Sequence, residues 1–175
     1  VIIITTKKGT KGPMKVGLSV KETLEWSPRY NLMNAAEYRK YNDIAYNEAI
    51  KDGIASITTT QQHSEFDTDW QDEVFKTALV QDYNVSLSGG GDSGNYFVSA
   101  GYYNNDGVSY GNNFDRYSFR VNTQGKRGMF SFGENLAYSL INKDPLQTNP
   151  YNDVVRMMPT IPVYDANNPG GYGYG

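Results

Sequence analysis

Apolar and polar residues alternate strictly in several separate runs of this chain, and that pattern constrains the fold more than any other feature. Met14, Val16, Leu18, Val20, Leu24 and Trp26 share one parity, with Glu22 the exception, while Lys15, Gly17, Ser19, Lys21, Thr23 and Glu25 take the other. A period of two sends successive side chains to opposite faces of a strand. Four more runs follow. Tyr83, Val85 and Leu87 alternate with Asp82, Asn84, Ser86 and Ser88, and Tyr96, Val98, Ala100 and Tyr102 with Phe97, Ser99, Gly101 and Tyr103. Tyr117, Phe119 and Val121 alternate with Arg116, Ser118, Arg120 and Asn122, and Phe130, Phe132, Leu136, Tyr138 and Leu140 with Ser131, Gly133, Asn135, Ala137 and Ser139. Ribbons of this kind in close succession predict an all-β, antiparallel up-and-down meander.

Between the first two ribbons the period changes. Asn34 and Glu37 have capping-box spacing, Met33 and Tyr38 have that of a hydrophobic staple, and Tyr38, Tyr41, Ala45 and Ala49 continue at helical intervals to Gly53. A second, shorter helix is expected in TDWQDEVFKTA, with Thr68 and Gln71 as its capping box and Lys76 in its last turn. The stretch from Lys143 onward, rich in Pro, Asn and Gly, reads as a long loop.

Gly89, Gly91 and Gly94 spell G-x-G-x-x-G. A dinucleotide loop needs a helix after the glycines, whose N-terminus meets the pyrophosphate. Here a second alternating run follows, so the glycines read as a hairpin bend. The links at 89–95 and 124–128 are short, and those at 27–79, 104–115 and beyond 143 are long. Strict alternation of short and long connections is the habit of outer-membrane barrels, with short periplasmic turns and long extracellular loops. A soluble carbohydrate-binding or adhesin-like β module is the competing reading of the same pattern.

Composition narrows the chemistry. The 175 residues include no Cys, which removes disulfides, thiolate nucleophiles and Cys-ligated metals. A net charge of −3 gives no argument for nucleic acid. Apolar runs all fall short of the roughly 18 residues of a spanning helix, which leaves a membrane barrel open. The start at Val1 and the finish in GGYGYG carry the expectation of a piece of something longer.

Candidate chemical groups are few. His63, beside Ser64 and Glu65, is the sole histidine and reads as a loop residue. Asp67, Asp69, Asp72 and Glu73 are placed as helix-start acids favoured by the macrodipole rather than as a glycosidase pair. The oxygen-rich stretches YNNDGVSYGNN and YDANNPGG read as turns; Pro169 occupies a ligand position that an EF-hand would need. Tyr38, Tyr41 and Ala45 are expected to pack, and Trp70 to anchor its helix. No catalytic, cofactor-binding or metal-binding residue is assigned, and no substrate-binding residue is named.

Taken in order, VIIITTKKG, LMNAAEYRKY, DTDWQDEVFKTALVQDYNVSLSGG, YFVSAGYYNNDGV and RYSFRVN resemble SusC/RagA-type TonB-dependent outer-membrane transporters of Gram-negative bacteria. The most specific part is the run Asp69 to Ala78 followed by Ser86 to Gly90. The resemblance implies part of a barrel of about twenty-two strands closed by a plug. It implies a TonB-powered importer of bulky nutrients, oligosaccharides or peptides, working with a SusD-type surface lipoprotein and without covalent chemistry. Residues 1–12 would be the last plug strand (Val1 to Thr6) and linker, and 13–175 the N-terminal part of the barrel with its extracellular loops. The Tyr, Phe, Val and Leu parity would then meet outer-membrane lipid, with Tyr83, Tyr96, Tyr102 and Tyr138 in the interfacial girdle. Ser, Asn, Gly and the arginines Arg116 and Arg120 would face the lumen.

Overall fold

The computed structural model describes residues 7–54 and 65–173; the expected plug strand and His63 lie outside the described residues. The chain divides into two compact units, Val1–Trp26 with Lys76–Leu146 and Ser27–Phe75 with Gln147–Gly175.

The first unit is a single antiparallel sheet of β1 (Gly12–Glu25), β2 (Ala78–Gly91), β3 (Gly94–Asn105), β4 (Asn113–Arg127) and β5 (Phe130–Asp144), neighbours in that order. This is the expected meander. Asp92 and Ser93 join β2 to β3, and Gly128 and Met129 join β4 to β5, whereas β3 and β4 are connected through 106–112. The G-x-G-x-x-G glycines all lie in strands of that first hairpin, where Gly91 pairs with Gly94. Gly94 is required by close approach: a Cβ there would lie 2.4 Å from the Gln124 carbonyl oxygen on β4. Each strand forms ladder bonds along its length, but the outer edges of β1 and β5 carry no partner strand among the described residues, so the sheet is open.

The apolar parity is not packed into a core. Leu18 is 76% exposed, Val16 65% and Phe130 75%. Ala78 and Val80 are the buried hydrophobics of this unit among the described residues. A soluble sheet of this size would place its Leu, Val and Phe set against a second layer.

The second unit contains α1 (Ala35–Lys51), α2 (Trp70–Val74) and α3 (Pro150–Arg156). Helix α1 begins as its sequence predicts: Glu37 N donates to Asn34 Oδ1 at 2.9 Å and Asn34 N to Glu37 Oε2 at 3.2 Å. It ends in a Schellman arrangement, with Ile54 N bonded to Ala49 O and Gly53 N to Ile50 O, and Gly53 at φ +70°. The covered face differs from the expected stripe. Tyr41 is 57% exposed and Ala45 exposed, while Tyr38, Arg39, Asn42, Tyr46 and Ala49 are half-covered.

Helix α2 starts one residue later than predicted. Asp69, not Thr68, caps it by accepting from Gln71 N, while the Thr68 hydroxyl turns away to donate to Ile161 O at 2.7 Å. The helix stops at Val74, which leaves Lys76 outside its last turn. Helix α3 was unexpected, since the sequence beyond 143 reads as loop; Asn149 caps it and Pro150 opens it.

This unit is held by polar latches around a small apolar centre of Ala35, Val154 and Ile161. Gln71, 4% exposed, donates to Tyr30 O at 2.9 Å and accepts from Tyr30 N at 2.7 Å. Trp70 Nε1 donates to Met158 O at 3.0 Å, and the Phe75 and Tyr151 rings stand 4.8 Å apart. Replacing Asn34 by Ala removes both halves of the capping box and is expected to cost about 1 kcal/mol of α1 stability. Hydrogen exchange of the α1 amides should then quicken about fivefold, with the strand amides unchanged.

Candidate functional site: the two faces of the sheet

Backbone register aligns the alternating runs into rows across the strands. One face carries Val16–Leu87–Val98–Val121–Leu136, Leu18–Val85–Ala100–Phe119–Tyr138 and Val20–Tyr83–Tyr102–Tyr117–Leu140. Beside the last of these runs a polar row on the same face, Glu22–Gln81–Asn104–Asp115–Asn142.

The tyrosine row is tied to that polar row. Ring centroids are 6.2 Å apart for Tyr83 and Tyr102 and 5.0 Å for Tyr102 and Tyr117. Tyr83 Oη donates to Glu22 Oε1 at 2.5 Å and accepts from Gln81 Nε2 at 2.7 Å. Tyr102 Oη donates to Asp115 Oδ1 at 3.1 Å, and Asn104 Nδ2 to the same oxygen at 2.9 Å. Each ring thus lies among apolar neighbours while its hydroxyl reaches polar groups, the amphipathic arrangement of a membrane interface. Of the four tyrosines expected in a girdle, Tyr83 and Tyr102 stand in this row, together with Tyr117. Tyr96 and Tyr138 share the face but not the row, and Tyr138 lies between Leu136 and Leu140 within the apolar stretch.

Beyond the shared rows the apolar residues continue in opposite directions at the two edges. On β1 and β2 they pass the polar row as Leu24 paired with Leu79, followed by Trp26; on β5 they pass Glu134 the other way, as Phe132 and Phe130. The apolar stretch is therefore centred near Val20 on β1 and near 135 on β5, although Val20 aligns with Leu140 through the rows. That is a slide of about five residues, or about 17 Å at roughly 3.3 Å per residue. Strands about 4.8 Å apart and tilted by about 40–45° need a slide of about 16–19 Å over four steps to keep one level band. The pattern has the diagonal of a tilted barrel wall.

The other face carries Ser19–Asn84–Gly101–Ser118–Ser139, Gly17–Ser86–Ser99–Arg120–Ala137 and Lys21–Asp82–Tyr103–Arg116–Ile141. Arg116 and Arg120 lie on it as expected. Residues 7–11 cross its end nearest the short turns. Asn122 Nδ2 donates to Lys7 O at 3.2 Å, Lys11 pairs with Asp92, and Gly9 lies so close to β3 that a Cβ would sit 2.2 Å from the Tyr96 carbonyl oxygen.

Of the sequence-predicted acids, Asp67, Asp69 and Asp72 are engaged within the second unit, and Glu73 stands in the first turn of α2. Asp67 accepts from Ala35 N at 2.8 Å, Asp69 caps α2, and Asp69 and Asp72 both face Arg29. The hydrogen bond to Asp72, then the charge of Asp69, raises the Arg29 pKa above its ordinary value. Sequence reasoning missed Arg29, which belongs to no local motif, and gave Gln71 a capping-box role where it clamps Tyr30. In the oxygen-rich stretches, Asn105 accepts from Gly107 N and Asp106 pairs with Lys76 at 2.9 Å; Asp165 accepts from Asn167 N at 2.9 Å. The Asn105 and Asp165 contacts are turn bonds, and the Asp106 contact is an ion pair. Among the described residues no group of His, Asp and Glu could hold a metal ion, and no helix is long and apolar enough to cross a membrane.

Comparison with known proteins agrees with the geometry. No family model matches. The chain is 31% identical over 186 residues to the TonB-dependent receptor SusC of Bacteroides thetaiotaomicron, an alignment covering 98% of the chain and 17% of that protein. It is 29% identical over 181 residues to the TonB-dependent receptor P3 of Formosa agariphila, covering 95% of the chain and 17% of the relative. The chain thus spans about a sixth of the length of the curated relatives it matches. Its fold is similar to a structure of the RagAB peptide transporter, with a TM-score of 0.68 at 21% identity, over 94% of this chain and 22% of that one. The RagAB peptide importer in its "open-open" state is similar with a TM-score of 0.61 at 21% identity, over 79% of this chain and 19% of that one. An open five-stranded meander with a tilted apolar band is thus similar, along nearly the whole of this chain, to a segment of SusC/RagA-type TonB-dependent receptors.

Proposed function

We propose that this chain forms part of the wall of an active importer in the outer membrane of a Gram-negative bacterium. The importer takes up bulky nutrients, oligosaccharides or peptides, by binding and conformational change rather than by covalent chemistry. Energy arrives through TonB, and a SusD-type lipoprotein works with the receptor at the cell surface. Residues 1–12 form the last plug strand and linker, and 13–175 the N-terminal part of the barrel, with the long connections outside the cell. In this arrangement the Val, Leu and Phe face meets lipid and the Ser, Asn and Arg face lines the lumen.

The diagonal apolar band carries this reading. A soluble binding module has no reason to expose Leu18, Val16 and Phe130 to water, nor to shift its apolar stretch from strand to strand by the amount that barrel tilt requires. Two measurements test it. The full-length receptor should fractionate with outer membranes and need detergent for extraction; recovery as a soluble periplasmic protein would refute the proposal. In that receptor Leu136→Arg should cost about 2–4 kcal/mol of folding stability in bilayers, the penalty for a cation near the midplane. Asn135→Arg, one residue along and on the opposite face, should cost less than about 1 kcal/mol. Equal costs in denaturant titrations of bilayer-folded protein would show that the faces are wrongly assigned.

A further inference from the structure

Charge is divided between the faces of the sheet. Strand positions of the polar-face parity hold Lys15, Lys21, Arg116, Arg120, Lys126 and Lys143 against the acids Glu25 and Asp82. Positions of the apolar-face parity hold Glu22, Asp115, Glu134 and Asp144 against Arg127. A chain with a net charge of −3 thus has one distinctly cationic surface.

The cations differ in availability. Residues 7–11 cover the end of the polar face nearest the short turns, through the bond of Asn122 to Lys7 and the contact of Gly9 with Tyr96. Toward the opposite end of the same face Lys21, Arg116 and Lys143 are exposed. Two aromatic rings lie among them. Tyr103 stands edge-on to Phe114 with centroids 5.8 Å apart, and the Arg116 guanidinium lies 5.4 Å from the Tyr103 ring centre. Arg116 is thereby held over a ring, which limits its freedom without neutralising its charge. Asp82 lies in the same row, between Lys21 and Tyr103, and accepts from Asn84 Nδ2. At about 4.8 Å per strand, the Lys21 and Arg116 backbones are about 14 Å apart, and Lys143 is a diagonal neighbour of Arg116 at about 7–8 Å. The arrangement offers several positive charges at intervals, with aromatic surface between them.

We propose that Lys21, Arg116 and Lys143, around the Tyr103–Phe114 pair, form a contact site for acidic cargo: an oligomer carrying several carboxylate groups. The assignment rests on the importer reading and on the polar face being lumenal. Cations spaced along a wall at these distances favour a chain with repeated negative charge over a neutral chain of equal length. The shared chemistry is the carboxylate, borne by acidic residues of a peptide or by uronic units of a saccharide.

Full-length receptor purified from outer membranes tests this against two mixtures, a tryptic peptide digest and a pectin digest containing methyl-esterified and free galacturonate oligomers. Mass spectrometry of the retained oligomers gives the ratio of acidic to neutral species. The expected result is enrichment of acidic species from at least one mixture, and which mixture identifies the source. Arg116→Glu combined with Lys21→Glu should lower that enrichment about three- to tenfold, as expected for two exposed charge contacts. Arg116→Lys should retain most of it, and raising salt to 0.5 M should weaken it in the wild type. Thermal unfolding of the variants separates lost contact from lost fold. Equal retention of acidic and neutral oligomers, or enrichment unchanged in the folded double variant, overturns the cargo site and leaves the importer reading standing. Retention of nothing from either mixture counts against the importer reading itself.

Discussion

Among the described residues a face of Leu, Val, Tyr and Phe stands largely exposed, and the rest of the molecule has to be understood from that constraint. Burial of one such side chain is worth about 1.5–3 kcal/mol relative to leaving it in water. A sheet that exposes Met14, Val16, Leu18, Val20, Phe130 and Phe132 forgoes that gain several times over unless another apolar medium supplies it. In the proposed arrangement the bilayer would do so, and it would impose a condition in return, because every backbone donor and acceptor inside it must be paired. The ladders of β1 to β5 meet that condition apart from the register shift between Gly12 and Lys15 and the two outer edges, where the remaining strands of a closed barrel would pair.

The two units sort their side chains in different ways. In the sheet, side chains are sorted by parity and few are buried; Ala78 and Val80 are the apolar exceptions. The helical unit resembles an ordinary small soluble domain, yet its centre is slight and depends on oriented polar bonds: the two-way clamp of Gln71 on Tyr30, the Trp70 indole on Met158, and Arg29 between Asp69 and Asp72. Polar latches of this kind hold a loop-derived unit in shape where apolar area is scarce.

Much of the sheet was legible in the sequence because period two is a one-dimensional signal that the structure preserves. The parity of Met14 to Trp26, the hairpin reading of Gly89 to Gly94 and the cap of Asn34 all depend on neighbours within a few residues. Errors arose where a distant partner decided the outcome. Thr68 has the spacing of a cap, but its hydroxyl is taken by Ile161, far along the chain, and the neighbouring Asp69 assumes the role. Tyr41 and Ala45 fit a helical stripe, yet the covered face is turned toward Tyr38, Asn42 and Tyr46. Helix α3 was missed although Asn149-Pro150 is a start signal, because the Pro, Asn and Gly around it read as loop. The exposed cationic end of the polar face could not be found from alternation alone, which says which face a residue joins but not which rows the chain itself covers.

The slanted apolar band has a further consequence for how the strands find one another. In a packed protein, a strand that slips by two residues against its neighbour is penalised by lost interdigitation, since its inward and outward sets remain the same. Here the apolar face stands largely exposed among the described residues. A two-residue slip would instead carry one strand's oily segment about 7 Å along its axis, out of step with its neighbours and partly into headgroups. In the proposed barrel wall, hydrocarbon thickness would thus act as the ruler that selects the correct alignment, and fidelity of assembly would depend on the surrounding lipid.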